Sequence, residues 1–367
     1  MTAATNLVQE LGASRSGHDD GTGFQAQVGS ALEAYFDSAG GRAAGYSPHF
    51  ATMWQHLREA VQGGKWMRPR LVHISYAAYG GRDKSSCATL AAAFELLHAA
   101  LVVHDDVIDR DFVRRGRDTI GAVYRDFAIG HGHSQLDAEH AGLSAAIVAG
   151  DLLLAGSLQL AGTASAGHPQ SAGIMESFHG AIFASAAGEL DDLVFSLARR
   201  SPELAEVLTM ERLKTAVYSF EAPLKTGALL AGVLAADADA LAAVGRKIGV
   251  AYQVTDDLLG TFGQPEFTGK SVESDLREGK WTVLRSYAES AEDAEQFTAA
   301  LAAFQRGEQD AEAVRRQLRA LGAADYAQDL AAHLVDDAMD QAADLGLPLP
   351  LFAELTSICE QILTRRS

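Results

Sequence analysis

Cysteine is almost missing from this 367-residue chain: only Cys87 and Cys359 occur, far apart and outside any Cys-x-x-Cys or Cys/His cluster. Neither a disulfide framework nor a structural zinc site is indicated, and a reducing cytoplasm is the expected location. Positive charge is also short. Against 48 Asp and Glu stand 30 Lys and Arg, a formal net charge of −18, so general electrostatic binding of nucleic acid or of an anionic lipid surface is not expected. Any phosphate site must be built locally. No uninterrupted apolar run approaches eighteen residues, because Asp, Glu, His or Gln break the Leu/Ala-rich stretches, and no transmembrane segment is expected. Residues 1–12 lack the basic stretch and apolar run of a secretory signal. Proline is scarce, eight in all, with Pro69, Pro202 and Pro265 at expected helix edges, so long helices are permitted.

What is present is a globular composition, 48% hydrophobic and 21% charged. Residues 13–23 are small, polar and Gly-containing, so residues 1–23 read as a mobile tail and residues 24–367 as one all-α domain starting near Phe24. Leu90, Phe94, Leu97 and Leu101 follow the spacing of a buried helix face. Strand signals are weak. Residues 129–140 are rich in Gly and His, break the apolar period and read as a surface loop, with His131, His133 and His140 as solvated side chains.

The apolar run through Leu101-Val102-Val103 ends in Asp105-Asp106-Val107-Ile108-Asp109. On a helix Asp105 and Asp109, at i and i+4, share a face, with Asp106 beside them and His98 about two turns earlier, roughly 10 Å away by the helical rise. Carboxylates converging at the mouth of a core are costly unless a cation neutralises them, and an all-oxygen ligand set suits Mg²⁺. The same pentapeptide would also serve as an ordinary solvated helix end.

Basic groups lie at matching positions. Gly63-Gly64-Lys65-Trp66-Met67-Arg68-Pro69 precedes the acidic block and Arg114-Arg115-Gly116 follows it; paired Arg suits bidentate phosphate recognition and Lys65 supplies a point charge from a Gly-loosened loop. A salt-bridge net of Arg114 and Arg115 with Asp109 and Asp111 is the structural alternative. Further on, Lys225 stands in Glu221-Ala222-Pro223-Leu224-Lys225-Thr226-Gly227, read as a Pro/Gly-marked interruption of a helix. A second apolar helix ends in Gln253-Val254-Thr255-Asp256-Asp257-Leu258-Leu259-Gly260, followed by Lys270 and Lys280 on Gly-rich turns.

These ordered blocks, spanning roughly residues 63–284, resemble the trans-isoprenyl diphosphate synthases, the polyprenyl synthetases. GGKWMRP is similar to the family's GGKxxRP, ELLHAALVVHDDVIDRDFVRRG to its first Asp-rich block, and YQVTDDLLGTFG with TGK and DLREGK to its second. The resemblance implies an isoprenoid synthase fold, an antiparallel helix bundle around a deep central cavity, and a homodimer. It implies three Mg²⁺ ions held by Asp105, Asp109 and Asp256 with Asp106 and Asp257 supporting. Arg114, Lys225, Thr226, Gln253, Lys270 and Lys280 would bind the allylic diphosphate, and Lys65, Arg68, His98 and Arg115 isopentenyl diphosphate. Two departures stand out: Gly260 replaces the last Asp of the second block, and Glu189 in Gly188-Glu189-Leu190-Asp191-Asp192-Leu193 replaces the Gln of the family's GQxxDL.

The implied reaction is head-to-tail condensation of isopentenyl diphosphate with dimethylallyl, geranyl or farnesyl diphosphate by ionisation, condensation and elimination. In the family an aromatic residue four or five positions before the first Asp closes the product pocket after fifteen carbons. Here those positions are Leu101 and Ala100. Leu97 and Phe94 lie about one and two turns deeper, and a turn of ~5.4 Å is close to one isoprene unit. Phe94 is the expected floor and geranylgeranyl diphosphate, with twenty carbons, the expected product; a longer-chain synthase is the alternative, then a class I terpene cyclase or a non-catalytic partner subunit.

Overall fold

The computed structural model describes residues 21–64, 66–114, 116–197, 200–263 and 273–365. Among these, regular structure is helical apart from one two-residue hairpin. Helix α1 (Gly21–Ala44) begins ahead of the expected start at Phe24, whose ring is buried. Residues 1–20 of the expected tail lie outside the described residues. Helix α2 (Pro48–Val61) has Pro48 in its first turn and is capped by Ser47, whose side chain accepts from the Phe50 amide. After α3 (Met67–Ala78) comes α4 (Lys84–Ile108), capped by Asp83, which accepts from the amides of Ser85 and Ser86.

Helix α4 is the centre of the molecule. Leu90, Phe94 and Leu97 are completely buried, as their spacing predicts, each contributing about 1.5–3 kcal/mol by leaving water. It packs against α1, α3 and α6 (Gln135–Ser165). The expected loop over residues 129–140 is corrected: α5 (Ile120–Gly130) runs to its start, only residues 131–134 connect, and His140 lies within α6. Ser134 caps α6 by accepting from the Asp137 amide, so the polar residues that imitate a loop form an exposed first turn.

Helix α7 (Ser171–Leu197) leads to α8 (Leu204–Glu211), a π-helix over Arg212–Glu221 and α9 (Ala222–Leu230). The helical chain is thus continuous past Pro223, which stands where the π segment passes into α9, and the expected interruption there is corrected. The wider π segment has room because two neighbours are glycine: a Cβ on Gly188 of α7 would lie 2.2 Å from the Lys214 backbone nitrogen, and one on Gly249 would lie 2.7 Å from Ala216 Cβ. Gly249 belongs to α10 (Ala235–Phe262), which packs on the π segment and on α15 (Ala323–Asp344). Between them come α11 (Ser274–Glu278), α12 (Val283–Ser290), α13 (Ala294–Gln305) and α14 (Ala311–Ala320), and α16 (Leu349–Thr364) closes the chain.

By length and composition α4 and α6 could each cross a membrane; the apolar window of α4 is 67% buried within the protein and that of α6 39%. The strands β1 (Val113–Arg114) and β2 (Arg117–Asp118) pair antiparallel just after α4.

Candidate active site

The end of α4 carries Asp105 and Asp106, with Asp109 as its C-cap. The hairpin, turned through Gly116 at φ +70, folds Arg114 back over them. Arg114 donates Nη2 to Asp105 Oδ2 at 2.7 Å and Nε to Asp106. Burial nevertheless pushes the Asp106 carboxyl up to about 6, the guanidinium only partly offsetting it. Lys280 donates to Asp109 Oδ2 at 2.5 Å and stands 3.2 Å from Glu278. Burial raises Asp109 too, with repulsion from Asp105 adding to it.

The sequence reading missed Lys214. From the π segment its ammonium reaches Asp105 at 3.3 Å, Glu189 at 3.1 Å and Asp192 at 2.7 Å, and these carboxylates raise its pKa although burial opposes them. Lys225, expected at the diphosphate, is instead on α9 and pairs with Asp239 at 2.6 Å. Asp239 is seventeen residues before Asp256 on α10, about 25 Å along the axis, so Lys225 is removed from the site. Thr226 is removed with it: it is fully buried and donates to the Ala222 carbonyl at 2.8 Å. A signal existed, because Leu-Lys-Thr occurs twice, at 213–215 and 224–226. Sequence alone does not show that the π segment turns the first Lys, and not the second, toward the acidic block.

The second block sits at the far end of α10. Asp256 accepts from Arg365 at 2.5 Å, and that guanidinium lies 4.6 Å from the Tyr252 ring centre. Asp257 is buried, accepts from Gln253 at 2.8 Å and faces the buried Glu211. Burial chiefly raises both carboxyls, Asp257 to about 7. Glu211 also feels Asp192, so charged groups connect the two blocks from Asp105 through Lys214 and Asp192 to Glu211 and Asp257.

Arg68 and His98 are brought together by the π segment. Arg68 donates to Tyr218 Oη at 3.1 Å and Ser219 Oγ at 2.8 Å, and Tyr218 Oη stands 3.3 Å from His98 Nδ1. Lys65, Arg115 and Lys270 lie outside the described residues. Among the described residues no three carboxylate, imidazole or thiol groups stand close enough to share one ion. The arrangement nonetheless fits cations: Asp105, Asp106, Asp109 and Asp256 each hold a Lys or Arg where a cation would sit, and all the donors are hard oxygens.

The sequence matches the model of the family described as polyprenyl synthetase over residues 49–321. The chain belongs to that family. As a polyprenyl synthetase it is a prenyltransferase. It is 32% identical over 310 residues to a (2E,6E)-farnesyl diphosphate synthase of Mycobacterium tuberculosis, covering 83% of this chain and 80% of that one. With a geranylfarnesyl diphosphate synthase of Aeropyrum pernix it shares 33% identity, over 64% of this chain and 68% of the other. The fold matches a geranylgeranyl pyrophosphate synthase of Corynebacterium glutamicum, complexed with isoprenyl diphosphate and magnesium, at a TM-score of 0.86 and 27% identity, over 94% of this chain and 99% of that chain. The isoprenoid synthase fold expected from sequence is thereby established.

In this polyprenyl synthetase the four chain-length positions descend α4 as their spacing predicts. Leu101 is partly exposed, and Ala100, Leu97 and Phe94 are completely buried. Phe94 meets a residue the sequence reading did not single out, Phe178 of α7, with ring centres 4.8 Å apart. The names of these relatives span several product lengths, so membership of the family does not by itself fix the length.

Proposed function

We propose that this prenyltransferase condenses isopentenyl diphosphate with dimethylallyl, geranyl and farnesyl diphosphates head-to-tail and releases geranylgeranyl diphosphate. The observation that carries the reading is the set of basic side chains resting on the acidic blocks: Arg114, Lys214 and Lys280 each neutralise a carboxylate at the end of α4. Mg²⁺, held by Asp105, Asp109 and Asp256 with Asp106 and Asp257 in support, would supply Lewis-acid assistance to departure of the allylic diphosphate. Released from the carboxylates, Arg114, Lys214 and Lys280 orient that diphosphate, with Gln253 and Lys270 alongside. Lys65, Arg68, His98 and Arg115 hold isopentenyl diphosphate, Tyr218 and Ser219 fixing the guanidinium of Arg68. Leu101, Ala100 and Leu97 line an apolar wall that excludes water from the reacting carbons, and Phe94 with Phe178 ends it, the depth for twenty carbons.

A homodimer is supported by a strip of α6 and α7 on which Ile147, Val148, Phe183, Leu190, Val194 and Leu197 are all exposed, an apolar face that a second copy would cover. A cytoplasmic location is supported by two buried, unpaired cysteines. The test is incubation of the purified protein with Mg²⁺, isopentenyl diphosphate and each allylic primer in turn, followed by product sizing. Twenty-carbon diphosphate is expected. Cyclic hydrocarbon from a single allylic diphosphate would make the protein a cyclase, and turnover only with an added partner would make it a subunit.

A further inference from the structure

An ammonium group has three protons to donate, and that of Lys214 faces three carboxylates: Asp192 at 2.7 Å, Glu189 at 3.1 Å and Asp105 at 3.3 Å. Two of the three come from α7, where Glu189 and Asp192 are three residues apart and share a face. Lys214 and Asp192 alone would make a neutral pair. Glu189 adds a surplus negative charge, and it does so in a place where the side chains of Glu189 and Asp192 are only 23% and 11% exposed. Burial raises the Glu189 carboxyl, Lys214 offsets this, and Asp105 and Asp192 add to the rise, so the charged acid is held here at a cost. The placement of Lys214 does not require it. The Lys214 main chain is seated against Gly188, and the shortest contact of its ammonium is to the more deeply buried Asp192. A Gln, which the family's GQxxDL has at this place, is equally long and accepts the same hydrogen bond without the charge.

We infer that Glu189 is a positioning residue that acts through Lys214 to loosen the site's hold on a diphosphate, so that inorganic pyrophosphate and the prenyl diphosphate product are released more easily. When a cation draws Asp105 away, one donor of Lys214 is freed for a diphosphate oxygen, while Glu189 and Asp192 stay on the other two. Those three groups together carry one negative charge. With Gln in place of Glu189 they would carry none. A diphosphate that reaches the ammonium therefore meets a like charge within a few ångströms in a half-buried site, which lowers its affinity by about tenfold.

This inference rests on the proposed function for the diphosphate as the ligand of Lys214, and its test reads binding directly. Affinity for inorganic pyrophosphate in the presence of Mg²⁺ is measured by isothermal titration calorimetry for the wild type, Glu189→Gln, Lys214→Ala and the double variant. Asp191→Asn is the control, because it removes the same charge from the same helix and Asp191 pairs with no Lys or Arg among the described residues. Glu189→Gln is expected to bind pyrophosphate about tenfold more tightly, and the gain should vanish on the Lys214→Ala background, since it acts through that ammonium. Asp191→Asn should change the affinity by less than about twofold. In turnover, Glu189→Gln should lower KM for geranyl diphosphate and lower kcat with it as release slows, whereas loss of a merely structural contact would raise KM. Circular dichroism checks folding, and if Lys214→Ala binds too weakly to measure, the comparison of Glu189→Gln with Asp191→Asn decides. Unchanged or weaker pyrophosphate binding in Glu189→Gln, an equal gain in Asp191→Asn, or an equal gain without Lys214 would overturn the inference. If Glu189→Gln tightens pyrophosphate through Lys214 yet no variant makes prenyl product, the proposed function fails and the inference stands.

Discussion

Gly188 and the Lys214 backbone are in direct contact: a Cβ on Gly188 would lie 2.2 Å from the Lys214 nitrogen and 2.7 Å from its Cα. That approach seats the π segment against α7 and puts the Lys214 ammonium among Asp105, Glu189 and Asp192. Both surfaces are main chain of packed helices, so neither can give way cheaply. Gly188→Ala should cost about 1–3 kcal/mol in urea denaturation through overpacking and lower kcat/KM by displacing Lys214. Gly180 of the same helix offers the control, since a Cβ there meets nothing within 4 Å. Gly180→Ala should stabilise by roughly 0.5–1 kcal/mol, because alanine restricts the unfolded chain. Equal behaviour of the two variants would show that the contact does not govern the site.

The two Leu-Lys-Thr segments give the second prediction. Lys214→Ala removes the cation shared by three carboxylates, and kcat/KM should fall by about 10²–10³, the usual effect of losing one charge-stabilising donor. Lys225→Ala breaks an ion pair with Asp239, whose side chain is 59% exposed, and turnover should change little. Steady-state kinetics with geranyl diphosphate distinguishes them, and the reverse order would restore Lys225 to the site.

That pair also marks how far sequence carried the reading. The acidic blocks were legible because i, i+4 carboxylates ending an apolar helix share a face whatever the surroundings, and the buried stripe of α4 follows from period alone. Arg114 was legible because nine residues leave little choice of where it folds back. Lys214 was not, because an α-to-π change alters the residues per turn and so which face a side chain takes, and the glycines that permit it come from helices distant in sequence. Arg365 on Asp256 and Glu211 against Asp257 are likewise tertiary pairings with no local pattern. The error over residues 129–140 has the opposite origin: polar first turns of a well-capped helix have a loop's composition.

Asp257 sets a pH dependence. Its carboxyl is raised from 3.8 to about 7, mainly by burial, so the folded state binds the proton more tightly than the unfolded state. The favourable contribution is complete below about pH 4 and is lost as pH rises through 7. Asp257→Asn keeps an oxygen for Gln253 and gains an amide donor toward Glu211. In metal-free buffer with chelator, the variant should melt above the wild type at pH 8, with the difference shrinking toward pH 5. Because Asp105 and Asp109 stand at the more complete acidic block, their Ala variants should lose more rate than Asp257→Ala. A pH-independent melting difference would remove the buried carboxyl from this account.

Phe94 and Phe178 are both fully buried with ring centres 4.8 Å apart, and under the proposed function the two rings would end the apolar wall as one barrier. Opening either should lengthen the product by about one isoprene unit, since a side chain one turn deeper, ~5.4 Å, becomes the new floor. Truncating a buried Phe costs about 3–5 kcal/mol, so Phe94→Leu and Phe178→Leu should accompany the Ala variants to separate loss of fold from change of length. A shift from twenty carbons toward twenty-five in both series, measured by chromatography of the dephosphorylated products, is the expected outcome. If Phe178 variants retain the wild-type length while Phe94 variants do not, α4 alone measures the chain. If neither series changes it, the floor lies elsewhere, and the depth argument for a twenty-carbon product fails with it.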